Sequence, residues 1–358
     1  MKRKVCMVVP SFSAKGGIAT VVSGYKNSEL EKKYDIKYIE SYCDGSKIKK
    51  IFQAIGAYFS FLKEVLINKP DIVHIHSSFG GSFYRKLPFV YMASFLRIPI
   101  INHLHGADFE TFYVNASSRK KKVIKNTYKK CAKVVVLSEE WKDKISLILP
   151  EKNICIIENY SYINNQIIDC RSKKNNYNTV LFLGFICQRK GCFDIPDIVK
   201  MVVEAIPNVR FILAGDGDIN AVKQLIDSSI EGNIIFPGWI RDNEKEKYLY
   251  EADVFFLPSY NEGMPMCILD AMGCGLPVVS TTVGGISKIV WQGINGFIHQ
   301  PGDKEGMAKS IIEILKNENV RKEFGKQSVK IAEQHFSLEK HINQISVIYE
   351  QIKQYKSD

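Results

Sequence analysis

Pro258-Ser-Tyr-Asn-Glu-Gly-Met-Pro-Met-Cys-Ile-Leu-Asp-Ala-Met-Gly-Cys-Gly-Leu-Pro-Val-Val-Ser280 holds a strand end, a carboxylate, a glycine turn, a short helix and a second strand in one run. The apolar residues just before it, Val254 to Leu257, have the length and composition of a buried strand. Glu262 and Gly263 fall in the turn that follows, and Pro265 suits the first position of a helix. Gly273 and Gly275 stop that helix before the next apolar run, Pro277 to Val279. Such a unit leaves free backbone N–H groups and the positive end of a helix dipole beside Glu262, at the carboxyl edge of a parallel sheet. This is a place for an anion such as a diphosphate. Glu262 and Asp270 bracket it, one in the turn and one about two helical turns on, where carboxylates accept bonds from sugar and ribose hydroxyls. Gly263, Met264, Met266 and Cys267 lie between them and are counted with the binding residues.

Outward from this stretch the chain reads as two series of short apolar strands separated by helical patterns. One series is Val180 to Leu183, Val209 to Leu213, Ile234 to Phe236, Val254 to Leu257, Pro277 to Val279 and Gly296 to Ile298. The earlier one is Val5 to Val9, Ile36 to Ile39, Ile72 to Ile75, Ile98 to Asn102, Val134 to Leu137 and Ile154 to Ile157. Continuous apolar runs alternating with helices predict an α/β fold of two doubly wound parallel sheets. The polar stretch Ser161 to Asn178, rich in Asn, Lys and Ser, reads as the linker. The domains are therefore taken as residues 1–165 and 178–336, and 337–358 as a terminal helix. Ile342, Ile345, Ile348, Tyr349 and Ile352 share one side of that helix.

The Glu-Gly loop, the acidic Asp270 separated from Glu262 by seven residues, and the Ala-Met-x-x-Gly-x-Pro-Val-Val that ends at Val279 resemble the donor-site signature of retaining glycosyltransferases of family 4, of the bacterial polysaccharide or cell-envelope type. The usual pattern has a second Glu where this chain has Asp270. The resemblance implies the GT-B arrangement, two Rossmann-like domains facing a central cleft, with the last helix crossing back to the first domain. It implies a nucleotide diphosphate-sugar as co-substrate and catalysis without a metal or other cofactor. In Leu183-Gly-Phe-Ile-Cys-Gln-Arg-Lys-Gly191, Lys190 and Gly191 match the family segment whose Arg and Lys neutralise the departing diphosphate. The Arg position is Phe185, which carries no charge and donates no hydrogen bond; Arg189 is near enough in sequence to compensate.

By the same resemblance Gly16 and Gly17, after the first strand, let the backbone approach a phosphate or sugar. His105, in Asn102-His-Leu-His-Gly106, matches the His-Gly that meets the donor sugar, while His74, His76 and His103 read as structural. Trp239 and Ile240, with Arg241, border the place of the base without telling uracil from guanine. Ala214-Gly-Asp-Gly-Asp218 matches a glycine turn of similar enzymes rather than a metal-binding Asp-x-Asp.

At 358 residues, with 46% hydrophobic and 11% aromatic side chains, each domain can bury a core. No apolar run approaches the roughly 20 residues of a membrane helix, and the start is too short in apolar residues for a signal peptide. Nine scattered cysteines lack metal spacing. The expected place is the cytoplasm, peripheral at the inner face of the plasma membrane. Residues 1–177 carry a net charge of +15 and residues 178–358 a net −4. A basic first half without interleaved stacking aromatics fits an anionic membrane surface better than nucleic acid. Its densest cluster runs from Arg119 through Lys130 to Lys133. Ile51, Ile55, Tyr58, Phe59 and Leu62, flanked by lysines, read either as a membrane-dipping face or as a core face, and the need of a doubly wound sheet for helices on both sides favours the core.

These readings converge on transfer of a sugar from a UDP- or GDP-sugar to a hydroxyl of a glycan or lipid-linked acceptor, with Glu262, Lys190 and His105 as the catalytic candidates. The alternatives are a catalytically weak nucleotide-sugar-binding subunit, to which Phe185 and Asp270 would be suited, and a GT-B nucleotide-sugar epimerase.

Overall fold

The computed structural model describes residues 2–171 and 178–354. The chain divides into two units, Met1–Asn159 with Leu338–Asp358, and Tyr160–Ser337. The strands of the first are β1 (Arg3–Val9), β2 (Tyr34–Glu40), β3 (Ile72–Ser77), β4 (Ile100–Leu104), β5 (Lys133–Val136) and β6 (Ile154–Ile156). They pair in parallel in the order β2-β1-β3-β4-β5-β6. The second unit holds β7 (Thr179–Leu183), β8 (Arg210–Ala214), β9 (Ile234–Gly238), β10 (Val254–Leu257), β11 (Val278–Thr281) and β12 (Gly296–His299), parallel in the order β12-β11-β10-β7-β8-β9. Each of the twelve strand-length apolar runs named above overlaps a strand. Inner strands such as β3 and β10 are buried along their whole length, as parallel strands with covered faces must be, whereas the edge strand β2 alternates.

Handedness sorts the helices of the first unit. The connections from β2 onward all step the same way across the sheet, so right-handed crossovers put the helices Lys47–Lys63, Gly81–Phe95 and Ser118–Tyr128 on one face. The β1 to β2 connection steps back and carries its helices to the other face. There the last helix, Leu338–Gln354, joins them, burying Ile342, Ile345, Ile348, Tyr349 and Ile352.

Two expectations are corrected. The polar run beginning at Ser161 is not a free linker but part of the second unit: Ser161 Oγ donates to the Leu269 carbonyl at 2.6 Å, and Asn165–Arg171 is a helix. Asn164 Oδ1 accepts from the Ile167 N–H at 3.1 Å, and Arg171 caps the carbonyls of Leu249 and Ala252, so the polar residues satisfy backbone rather than solvent. The rest of the run up to 177 lies outside the described residues. The second correction concerns the helix Lys47–Lys63. Its core face is Ala57 and Phe61, continued by Val65, with Tyr58 partly buried against it as expected, while Ile51, Ile55, Phe59 and Leu62 are exposed. No helix among the described residues is long and apolar enough to cross a membrane.

Candidate donor site

In the second unit β10 and β7 are neighbours, so the loops that leave their carboxyl ends lie side by side. From the β10 loop comes Glu262, only 7% exposed. Its Oε1 accepts from Lys190 Nζ at 2.6 Å and from Ser259 Oγ at 2.9 Å, and Arg189 Nη1 stands at 3.7 Å. Arg189 also donates to the Asn261 carbonyl at 2.7 Å, which ties the two loops together. Burial opposes the Lys190 ammonium, but the Glu262 carboxylate outweighs it and holds the Lys190 pKa above its ordinary value. Lys190 stays charged. Two cations and one carboxylate thus meet at the edge of a parallel sheet, where such sheets bind ligands.

Gly191 fixes this arrangement. It closes the turn Gln188–Lys190 at φ +72°, and a Cβ there would stand 1.9 Å from the Pro258 carbonyl oxygen. Gly191→Ala should therefore cost at least about 2 kcal/mol and turn Lys190 away from Glu262. Thermal unfolding together with turnover checks this, and wild-type values for both would show that the turn does not place Lys190.

The helix after Glu262 spans Met266–Gly273, with Pro265 at its N-cap rather than at its first position, because Pro265 keeps an extended ψ of 120°. No side chain caps this end, and Met264 and Met266 are buried beneath it. Gly284 and Gly285, after β11, press against the Glu262–Gly263 backbone: the Gly285 N–H donates to the Gly263 carbonyl at 2.6 Å, and a Cβ on Gly284 would stand 2.0 Å from the Glu262 carbonyl oxygen. At the far end of the helix a Cβ on Gly273 would meet the Tyr162 carbonyl oxygen at 1.9 Å.

Asp270 is held in an ion pair of its own. Its Oδ2 pairs with Lys245 Nζ at 2.5 Å, from the helix Asp242–Glu251. Burial works against the Lys245 ammonium, yet Asp270 raises its pKa overall. Cys267 lies between the two ion pairs, and burial lifts its thiol pKa to about 11, so it is protonated. The structure thus brings together Arg189, Lys190, Glu262, Gly263, Met264, Met266, Cys267 and Asp270. Trp239 and Ile240 follow β9, which is the edge of the sheet, and both are half-buried, with the Arg241 guanidinium 5.7 Å from the Trp239 ring centre. Phe185 is exposed on the β7 loop.

In Gly215-Asp-Gly-Asp218 the glycines serve close backbone approach. A Cβ on Gly215 would fall 1.7 Å from the Gly184 carbonyl oxygen, and Ile186 pairs with Asp216 and Asp218 through backbone bonds. Ser259, Lys245 and Gly284 escaped the sequence reading. Only the Gly284–Gly285 pair after an apolar strand was a usable signal, since the other two act over distances that no local pattern encodes.

In the first unit Gly16, at φ +122°, and Gly17 are exposed at the start of the helix Gly17–Ser23, with open space where a Gly16 Cβ would point. His105 follows β4, its N–H held by the Ser77 carbonyl at 2.9 Å. It is the partly exposed end of a stack. Its Nε2 meets His76 Nδ1 at 2.9 Å, and its ring lies 4.3 Å from that of His103. His74, His76 and His103 are buried, and their ligating nitrogens lie within 4.8 Å of one another. Among the described residues this is the group of donors close enough to share a cation, yet no carboxylate stands with it to offset the charge.

Two family models match the chain, one described as Glycosyltransferase Family 4 over residues 12–160 and one as Glycosyl transferases group 1 over residues 177–317. An uncharacterised glycosyltransferase of Methanocaldococcus jannaschii is 25% identical over 329 residues, covering 91% of this chain and 88% of that protein. The UDP-Gal:alpha-D-GlcNAc-diphosphoundecaprenol alpha-1,3-galactosyltransferase of Escherichia coli is 25% identical over 362 residues, covering 91% and 86%. In fold, the chain resembles the sucrose-phosphate synthase of Thermosynechococcus elongatus with a TM-score of 0.78 at 16% identity, over 99% of this chain and 100% of that one. It resembles Anabaena HepE in complex with UDP and glucose with a TM-score of 0.72 at 18% identity, over 98% and 100%.

Proposed function

Starting from the premise that the chain belongs to the family 4 glycosyltransferases, with two Rossmann-like GT-B domains, we propose that it moves a sugar from a nucleotide diphosphate-sugar to an acceptor hydroxyl with the anomeric configuration retained. The observation that carries this reading is the convergence of Lys190 and Arg189 on the buried Glu262 beside an uncapped helix start. Glu262 offsets one of the two positive charges of Lys190 and Arg189 and leaves the group one charge positive. When a donor binds, Lys190 and Arg189 face the diphosphate, and charge growing on the leaving group meets fixed positive charge in a site with little water. Glu262 then accepts hydrogen bonds from donor-sugar hydroxyls and orients the ring.

Arg189 supplies the second cation that the uncharged Phe185 cannot. Asp270 takes the ribose and must leave Lys245 or share it, since its side chain is shorter than a Glu by one C–C bond, about 1.5 Å. Trp239 and Ile240 flank the base. In the first unit the proposal gives His105 a sugar contact and Gly16–Gly17 a close backbone approach. With two side-chain cations assigned to the diphosphate, the reaction is proposed to need no divalent ion.

The acceptor is proposed to be a lipid-linked or polysaccharide precursor, met at an anionic membrane surface on the cytoplasmic side. The net charge of +15 on residues 1–177 supports this. That the Escherichia coli relative's name specifies a diphosphoundecaprenol acceptor is in keeping with it. A panel of UDP- and GDP-sugars, scored first by thermal shift and then by release of nucleoside diphosphate in the presence of chelator, tests the donor part. One donor is expected to stabilise the protein and to turn over, and its product should keep the donor's anomeric configuration by NMR. An inverted product would overturn the retaining assignment, and turnover abolished by chelator would overturn the metal-free one.

A further inference from the structure

The helical layer formed by Lys47–Lys63, Gly81–Phe95 and Ser118–Tyr128 covers one face of the first sheet, and its outer surface does not look like that of a soluble protein. Ile48, Phe52, Ile55, Phe59, Leu62 and Leu66 recur at spacings of three and four residues and so form one stripe about 100° wide. That stripe points away from the core. Ile48 is 67% exposed and Phe52 and Phe59 are each 70% exposed, whereas Ala57, Phe61 and Val65 on the opposite side are buried. With the following turn Glu64–Asn68 the rod runs about 33 Å. The neighbouring helix adds Phe95, 87% exposed, and the half-exposed Tyr91. An apolar face of this extent is not left to water without a use.

The charge around it is one-sided. Across the three helices and the turn after the first, the sequence holds a single carboxylate, Glu64, which is buried and bonded to Asn68. Lys47, Lys49 and Lys63 flank the stripe on the first helix, and the Ser118–Tyr128 helix presents Arg119, Lys122 and Lys125 to solvent. Lys130 rests 5.1 Å from the Tyr91 ring and joins the cationic and aromatic parts of the layer. A second copy of this surface would set like charges against one another. Lysines at the rim of an apolar stripe instead suit a lipid leaflet, because their stems lie along acyl chains while the ammonium groups reach phosphate oxygens.

We infer that the Lys47–Lys63 helix is an interfacial membrane anchor, lying in the plane of an anionic leaflet with Phe52 and Phe59 among the acyl chains, while the Ser118–Tyr128 helix rests on the headgroups. This rests on the membrane-surface part of the proposed function and deepens it: electrostatic contact becomes insertion at named residues. The apolar stripe sets the depth, and the basic helix sets the preference for anionic lipid.

The test is flotation of the full chain with vesicles of phosphatidylcholine alone and of phosphatidylcholine mixed with phosphatidylglycerol. The wild type should float with the anionic vesicles. Phe52→Ser combined with Phe59→Ser should weaken that partition by about tenfold or more at low and at high salt, with the melting temperature unchanged. Arg119→Glu, Lys122→Glu and Lys125→Glu together should weaken it mainly at low salt. In Phe59→Trp, brominated lipid should quench the new fluorescence. Wild-type flotation by the double serine variant would overturn the anchor while leaving the membrane reading intact. A wild type that floats with neither vesicle would remove the membrane reading and the anchor with it. A concentration-dependent dimer that the double serine variant abolishes would give the face to a second copy instead.

Discussion

Glu262→Gln is expected to lower turnover about a hundredfold while changing the affinity for free nucleoside diphosphate little, and Lys190→Met is expected to damage both, with turnover falling about a hundred- to a thousandfold. The asymmetry follows from the resting ion pair, with Lys190 Nζ 2.6 Å from Glu262 Oε1. In the proposed donor complex the diphosphate competes with Glu262 for Lys190, so weakening the carboxylate would free the lysine for the ligand even as it loosened the sugar. Removing the lysine would take away one of the two cations assigned to the leaving group. Stability should behave differently from rate. Each single variant leaves a nearly buried charge with a poorer partner, at a cost of about 3 kcal/mol, whereas Lys190→Met with Glu262→Gln removes both charges and should recover much of the loss. Calorimetric titration with UDP and GDP, steady-state rates and thermal melts of the three variants together read this out. Near wild-type turnover in Glu262→Gln would take the residue out of the donor-sugar role, and a double variant whose loss of stability equals the sum of the two single losses would show that the pair is not energetically coupled.

All twelve strands were legible because parallel strands covered on both faces need unbroken apolar runs, and helix-length polar patterns separate those runs. The Glu262 turn was legible for the same local reason. What the sequence hid was the choice between two faces of one helix. Between Lys47 and Asn68 both sides are apolar, one with large residues such as Phe52 and Phe59 and one with Ala57 and Phe61. Periodicity shows that a stripe exists but not which stripe meets the sheet, and here the side with the small Ala57 went inward. The Asp270–Lys245 pair was hidden differently, since it links two helices whose packing no local pattern announces. The linker reading of Ser161 onward failed because Asn and Arg side chains can be spent on capping backbone as readily as on solvent.

Mild acid is expected to unfold the first unit cooperatively while the second persists. Five of the chain's seven histidines stand together there. β3 and β4 pair with His76 opposite His103, so His74, His76, His103 and His105 share one sheet face, and the last helix covers it with His341. His341 Nδ1 faces the Glu158 carbonyl at 2.6 Å and must donate to it, which leaves Nε2 to accept from the Tyr25 hydroxyl at 2.8 Å. The rings of His74, His76, His103 and His105 lie against one another, so a proton on one is opposed by burial and by its neighbours. Burial, reinforced by the neighbouring rings, drives His74 and His105 down to about 3, burial takes His341 to about 4, and His76 and His103 are pushed well below the usual range.

Above about pH 6.5 these rings are neutral whether the chain is folded or not, and pH has no leverage through them. Below it the unfolded chain takes up protons that the folded one refuses, so stability falls steadily until the folded values near 4 and 3 are reached. At pH 5 each ring still neutral in the fold costs about 2 kcal/mol, and five together cost about 10 kcal/mol, which rivals the whole stability of a domain. Circular dichroism and tryptophan emission from Trp141 between pH 7 and pH 4 should show the loss. The variant that isolates the cause is His103→Phe, because both nitrogens of His103 are buried without a hydrogen-bond partner and its ring is stacked on its neighbours. Phenylalanine keeps the stacking and cannot be protonated, so stability at neutral pH should hold or rise and the acid midpoint should move lower. If the midpoint stays where it is, protonation of this stack is not what opens the unit, and carboxylates elsewhere must be.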